Sequence, residues 1–79
     1  MDTLNKEWVL GNLRETVEHL QTLISEMERS ESTGPLEAWI EFIYRDLNRS
    51  WNGRYMTMAE CQQNDKQIRS FPKDIGFSD

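Results

Sequence analysis

Residues 10–27 read LGNLRETVEHLQTLISEM, and large apolar side chains recur in this segment at steps of 3, 4, 3, 4 and 3. The residues that keep these steps are Leu10, Leu13, Val17, Leu20, Ile24 and Met27. Such spacing places them along one side of an α-helix, as in the seam by which one helix packs against another. We therefore predict a long first helix over residues 3–29.

A second apolar series begins after the polar connector SESTGP at residues 30–35. Its members are Leu36, Ile40, Ile43 and Leu47. Pro35 suits the first turn of a helix, and Asn52-Gly53 predicts a left-handed stop at the far end. We predict a second helix over residues 35–51 that folds back antiparallel on the first, with the two seams in contact.

A shorter helix is predicted near the end of the chain. Thr57 and Glu60 have the spacing of a capping box, and Pro72 cannot continue a helix. The third helix should cover residues 58–69. The fold class is therefore all-α: one small domain over residues 1–79, made of a helical hairpin, a short third helix and a docked C-terminal tail.

The first helix is longer than the second, so its N-terminal end extends beyond the hairpin and needs cover. We expect the cover to come from the last third of the chain, and a second copy of the chain is the alternative. The tail residues available for docking are Phe71, Ile75 and Phe77.

Composition limits the class of protein. The 79 residues include one cysteine and carry a net charge of −5. A chain this small, with no disulfide or zinc cluster to brace it, gains stability from helix packing and association, so we expect a homodimer or a protein partner. Acidic chains bind nucleic acid poorly. The sequence shows neither a bilayer-length apolar run nor a signal peptide, so we expect a cytoplasmic protein without membrane contact.

Chemistry-bearing residues are few. Glu15 and His19 could share a metal ion, but one such pair does not fill a coordination shell. Cys61 has no second cysteine and is distant in sequence from the only histidine. We therefore expect no enzyme activity, no metal, no cofactor and no small-molecule ligand.

Six residues are candidates for partner binding, because Trp and Arg are enriched at interface hot spots and helix 2 is unusually aromatic. They are Trp8, Trp39, Phe42, Arg49, Trp51 and Arg54. The competing interpretation places the tryptophans in the core and lets the arginines complement the helix dipole. We expect a small interaction or regulatory module that self-associates through the helix 1 and helix 2 faces. The alternative is an acidic inhibitor or antitoxin-like protein that blocks an enzyme or a nucleic-acid-binding protein.

Overall fold

The computed structural model describes residues 3–71 of the chain. These residues form four α-helices in the order α1 (Lys6–Glu28), α2 (Gly34–Asn52), α3 (Met58–Gln63) and α4 (Asp65–Ile68), and include no strand. The two long helices pack against each other, which confirms the predicted all-α helical hairpin. Of the three residues predicted to dock from the tail, Phe71 stacks on Tyr44 of α2 with ring centres 6.1 Å apart, and Ile75 and Phe77 lie outside the described residues.

Side-chain hydrogen bonds fix the start of α1. The Asn5 side chain accepts from the backbone N–H of Trp8 at 3.1 Å, which satisfies one of the free donors of the first turn. The Asn5 backbone N–H donates to the carbonyl of Arg54, and its side-chain amide donates to the carbonyl of Met56 at 2.8 Å. The segment after α2 therefore covers the N-terminal end of α1, in the region where the sequence indicated a need for cover.

The side of α1 that contacts α2 is not the predicted seam. The buried residues of α1 are Asn12, Thr16 and Leu23, whereas four members of the predicted seam are 39% to 57% exposed. Those four are Leu13, Val17, Leu20 and Ile24. The prediction was wrong because periodicity shows which residues share a side but not which of two sides meets the neighbouring helix.

The corresponding prediction for α2 was correct only at Ile43. Ile43 is 6% exposed, whereas Leu36, Ile40 and Leu47 remain 40% to 49% exposed. The other buried residues of α2 are Asp46, Asn48 and Ser50. Asp46 lies in the contact within the hairpin, 2.8 Å from His19 of α1, whereas the Asn48 side-chain amide donates to the carbonyl of Arg69 at the end of α4. None of the buried side-chain polar atoms in residues 3–71 lacks a hydrogen-bond partner.

Gly53 ends α2 for a reason that the sequence did not indicate. Its φ is −95°, so the predicted left-handed stop is wrong. A Cβ at this position would lie 2.4 Å from Nε1 of Trp8 and 3.0 Å from Sγ of Cys61. The glycine is needed because the Trp8 indole packs against bare backbone. Gly11, in contrast, has nothing within 4 Å of the position of a Cβ, so no bulky neighbour requires it.

The chain then returns along α2 through two short helices. Thr57 and Glu60 form the predicted capping box at the start of α3. Asn64 separates α3 from α4, and its side-chain amide donates to the carbonyl of Glu60 at 2.8 Å, so two short helices occupy the segment predicted as one. The Asn52 side-chain amide donates to the carbonyl of Ile68 at 2.8 Å and holds α4 against α2.

Candidate functional site

Most of the exposed apolar residues of the two long helices lie on one side of the hairpin, and Phe42 is an exception. In α1, Leu13 and Val17 each follow a buried contact residue by one position, and in α2 Tyr44 and Leu47 do the same. Each successive residue of an α-helix is rotated by about 100° around the helix axis. The two helices are antiparallel and face each other, so a step of one residue rotates in opposite senses on α1 and α2. The exposed apolar row of each helix, which we call its apolar stripe, therefore lies on the same side of the hairpin.

We call this surface the apolar face. It consists of Leu13, Val17, Leu20, Ile24, Leu36, Ile40, Tyr44 and Leu47, each 39% to 57% exposed. At about 200 Å² of surface per large residue, the face offers on the order of 700 Å² of accessible surface. The largest apolar patch on a typical monomer measures about 300–600 Å². The apolar face is therefore unusually large for a chain of this size.

A groove of about 410 Å³ continues the apolar face at the end of the hairpin away from the connector. Its lining is formed by Leu4, Val9, Leu47, Ser50, Trp51 and Arg54. The Arg54 guanidinium lies 3.8 Å from the centre of the Trp51 ring and 4.9 Å from that of Tyr55. The base of the groove is therefore apolar, and the Arg54 cation lies at its edge over the aromatic rings.

The opposite side of the hairpin is polar. An open cavity of about 510 Å³ lies there. Its lining includes Glu7, Trp8, Arg14, Glu15, Arg49 and Asp65. The Arg49 side chain spans this region, because its Nε–H donates to Asp65 at 3.0 Å and its Nη1 lies 3.5 Å from a carboxylate oxygen of Asp46. Arg49 and Asp65 therefore form an ion pair within this cavity.

His19 contributes to the contact between the helices and is not simply a solvated residue of α1. Its Nδ1 lies 2.8 Å from a carboxylate oxygen of Asp46, which is 2% exposed. Its ring centre lies 5.5 Å from that of Trp39 and 5.9 Å from that of Phe42. Trp39 in turn donates its indole N–H to Glu26. This cluster fixes the register of the hairpin, that is, which residues of α1 lie opposite which residues of α2.

Two titratable groups lie together at the start of α3. Hydrogen bonds from the backbone and side chain of Thr57 lower the pKa of Glu60 below its ordinary value. Burial raises the pKa of the Cys61 thiol, and the nearby Glu60 carboxylate adds to the effect. Because Cys61 is fully buried, its thiol has the properties of a packed apolar group and not those of a nucleophile.

The six residues predicted to bind a partner do not form one site. Trp51 and Arg54 border the apolar face through its terminal groove. Trp8 and Arg49 meet in the polar cavity, where the Trp8 indole N–H donates to the Arg49 carbonyl at 2.8 Å. The remaining two, Trp39 and Phe42, lie beside His19 with their ring centres 5.9 Å apart and their planes tilted by 53°. Helix geometry places Phe42 on the side away from Ile40.

Sequence reasoning found the residues of the apolar face but assigned most of them to the interior. The available signal was the row one position earlier in each helix, where Asn12, Thr16 and Asp46 could hydrogen-bond across or along a helix contact. Thr16 donates to the carbonyl of Asn12 at 2.9 Å, and Asn12 donates to the carbonyl of Trp8 at the same distance. Small side chains that satisfy their own hydrogen bonds allow the helices to approach closely.

Two more features of residues 3–71 bear on the class of site. Across residues 3–71, His, Cys, Asp and Glu side chains form no group of three or more that could hold a metal ion. No helix in this range is long and apolar enough to cross a membrane. Neither a family model, nor a curated protein, nor a solved structure matches the chain.

Proposed function

We propose that this chain is a non-enzymatic protein–protein interaction module of the cytoplasm, and that the apolar face is its binding surface. One observation carries the proposal: eight large residues on two adjacent helices are about half exposed on the same side. Large apolar patches of this kind mark interaction surfaces. Other proteins lay amphipathic helices into such surfaces, and helix pairs assemble on them into bundles.

The hairpin holds the apolar face in a fixed shape. Asn5 joins the start of α1 to the segment after α2, and His19 joins the middle of α1 to Asp46. Trp39, in the first half of α2, joins it to Glu26 near the end of α1. These three connections are spread along the length of the hairpin. A binding surface that is already ordered in the free protein loses little conformational entropy when the partner binds, and this favours affinity.

Two matched substitutions test the proposal. Ile40 and Phe42 lie on the same helix and are 49% and 48% exposed, but they point to opposite sides. Glutamate at either position adds the same charge. We expect Ile40→Glu to lose binding to protein partners, the chain itself included, in capture and cross-linking from source cells, while Phe42→Glu retains it. Equal binding by both variants, or loss only in Phe42→Glu, would exclude the apolar face as the site.

A second candidate function has support from the polar side. Glu7 and Glu15 line the cavity there, and Glu18 is exposed next in line on α1. An acidic inhibitor or antitoxin-like protein would present these groups to a basic surface on an enzyme or a nucleic-acid-binding protein. Its partner should dissociate as salt is raised, and reversing the charge of Glu15 and Glu18 should abolish capture. Ile40→Glu should leave such a partner bound, so the two functions give opposite results.

A further inference from the structure

The charge of the hairpin is divided along its length. His19 contacts Asp46, so residues 18–47 form the half that contains the connector, which we call the loop half. It has seven acidic and two basic residues, a net charge of −5. The remaining described residues, 3–17 and 48–71, form the open half. They include four acidic and six basic residues, a net charge of +2.

The same division holds along the apolar face. In α1, Lys6 precedes Leu10 by four positions at the open end, and Glu28 follows Ile24 by four positions at the loop end. Both lie in line with the apolar stripe and are exposed. In α2, exposed Glu37 lies at the loop end, and Arg54 lies in the groove at the open end. Each stripe therefore runs from a basic end to an acidic end.

On the basis of the proposed function, we infer that the occupant of the apolar face is a second copy of the chain, with its connector at the opposite end. Two hairpins would then form a four-helix bundle related by a twofold axis. The area of the apolar face supports this occupant, because the roughly 700 Å² of the face approaches the ~800 Å² that each partner buries in a standard interface.

Charge selects the orientation. With connectors at opposite ends, α1 lies antiparallel to α1 of the partner, and the Lys6 end of each copy faces the Glu28 end of the other. The same twofold rotation places Glu37 of α2 opposite the end of the partner that contains Arg54. With connectors at the same end, two loop halves of charge −5 would lie side by side. Juxtaposed like charges disfavour that arrangement, whereas complementary ends favour the first.

The experiment uses the full-length purified chain. Sedimentation equilibrium gives its mass, and Ser32→Cys, in the exposed connector, takes a nitroxide label for pulsed EPR distances. Wild type treated in parallel is the control, because its buried Cys61 should resist labelling. We expect a dimer with labels about 35 Å apart, since α1 has 23 residues. Connectors at the same end would place the labels within about 20 Å.

A charge swap provides a second readout. Lys6→Glu and Glu28→Lys should each raise the dimer dissociation constant, roughly 3- to 10-fold for two exposed pairs. The double variant should return to the wild-type value only if these two ends face each other. A double variant no tighter than the single ones, or a short label distance, overturns the orientation and leaves the proposed function intact.

A monomeric wild-type chain throughout the micromolar range overturns the inference as a whole. The apolar face would then belong to residues 72–79 or to another protein. Capture that Ile40→Glu abolishes and Phe42→Glu retains would still support the interaction module, with a different occupant. Loss of that difference would remove the proposed function as well, so the two failures are distinguishable.

Discussion

Replacing Gly53 by alanine tests the packing at the open end of the hairpin. The added methyl would lie 2.4 Å from Nε1 and 2.9 Å from Cδ1 of Trp8, so the indole or the backbone must move. Overpacking of this kind costs about 1–3 kcal/mol. Displacing the indole also weakens its hydrogen bond to the Arg49 carbonyl, which contributes about 1 kcal/mol.

One effect acts in the opposite direction. Gly53 has φ −95° and ψ 6°, which alanine adopts without strain. The substitution should therefore add about 0.4–1 kcal/mol to the free energy of unfolding, because it reduces the conformational entropy of the unfolded chain. The net expectation is a loss of about 2 kcal/mol in the free energy of unfolding. Gly11→Ala is the matched control, because nothing lies within 4 Å of its added methyl. That helix-interior substitution should gain about 0.5–1 kcal/mol.

Urea unfolding followed by far-UV circular dichroism measures both variants, at one protein concentration because association would shift the midpoint. A Trp8→Phe background provides a further check. The smaller ring should reduce the penalty of Gly53→Ala if contact with the indole causes it. A Gly53→Ala midpoint at or above that of wild type, with Gly11→Ala raised as expected, would refute the packing argument.

Three further predictions concern the polar contacts and the buried thiol. Because the folded pKa of Glu60 is lowered from 4.5, its contribution is present above that pH and is lost as the pH falls through the folded value; Glu60→Gln should flatten this part of the pH dependence of unfolding. Cys61 should react with iodoacetamide about 100-fold more slowly in the native protein than in urea, and equal rates would contradict its burial. Asp46→Ala should lower the free energy of unfolding by roughly 1–3 kcal/mol, since it removes a buried acceptor of His19, and an unchanged urea midpoint would count against that role.

Local rules predicted the helices well. The spacing from Leu10 to Met27 indicated a helix because an α-helix repeats every 3.6 residues, and α1 covers this segment. The capping box of Thr57 and Glu60 depends on two residues three apart and formed as expected. Such features rest on contacts within one or two turns, which a sequence displays directly.

The arrangement between the helices depends on contacts that spacing does not show. His19 and Asp46 are 27 positions apart, and nothing in their local sequence pairs them. The close approach of Trp8 to Gly53 likewise appears only once the hairpin is closed. As a result, sequence reasoning assigned the stripe through Val17 to the interior, although it forms the exposed candidate site.

The two sides of each long helix serve different purposes in this arrangement. The contact side carries polar groups such as Asn12 and Asp46, and the contact between His19 and Asp46 joins the two helices across it. Buried polar contacts are well suited to setting register and contribute less to net stability. The buried apolar residues among positions 3–71 number four, namely Leu23, Ile43, Cys61 and Ile68, against eight half-exposed ones on the apolar face.

About half of the surface of these eight side chains is therefore accessible until the face is occupied. Each large side chain contributes about 1.5–3 kcal/mol when fully buried, so association and folding should be coupled. If the second copy is the occupant, the unfolding midpoint of wild type should rise with protein concentration. Ile40→Glu should remove that dependence, because it blocks association at a position that is 49% exposed in the single hairpin. A midpoint independent of concentration in a proven dimer would mean that the hairpin is fully stable alone. The polar contacts between its helices, and not burial of the apolar face, would then provide its stability.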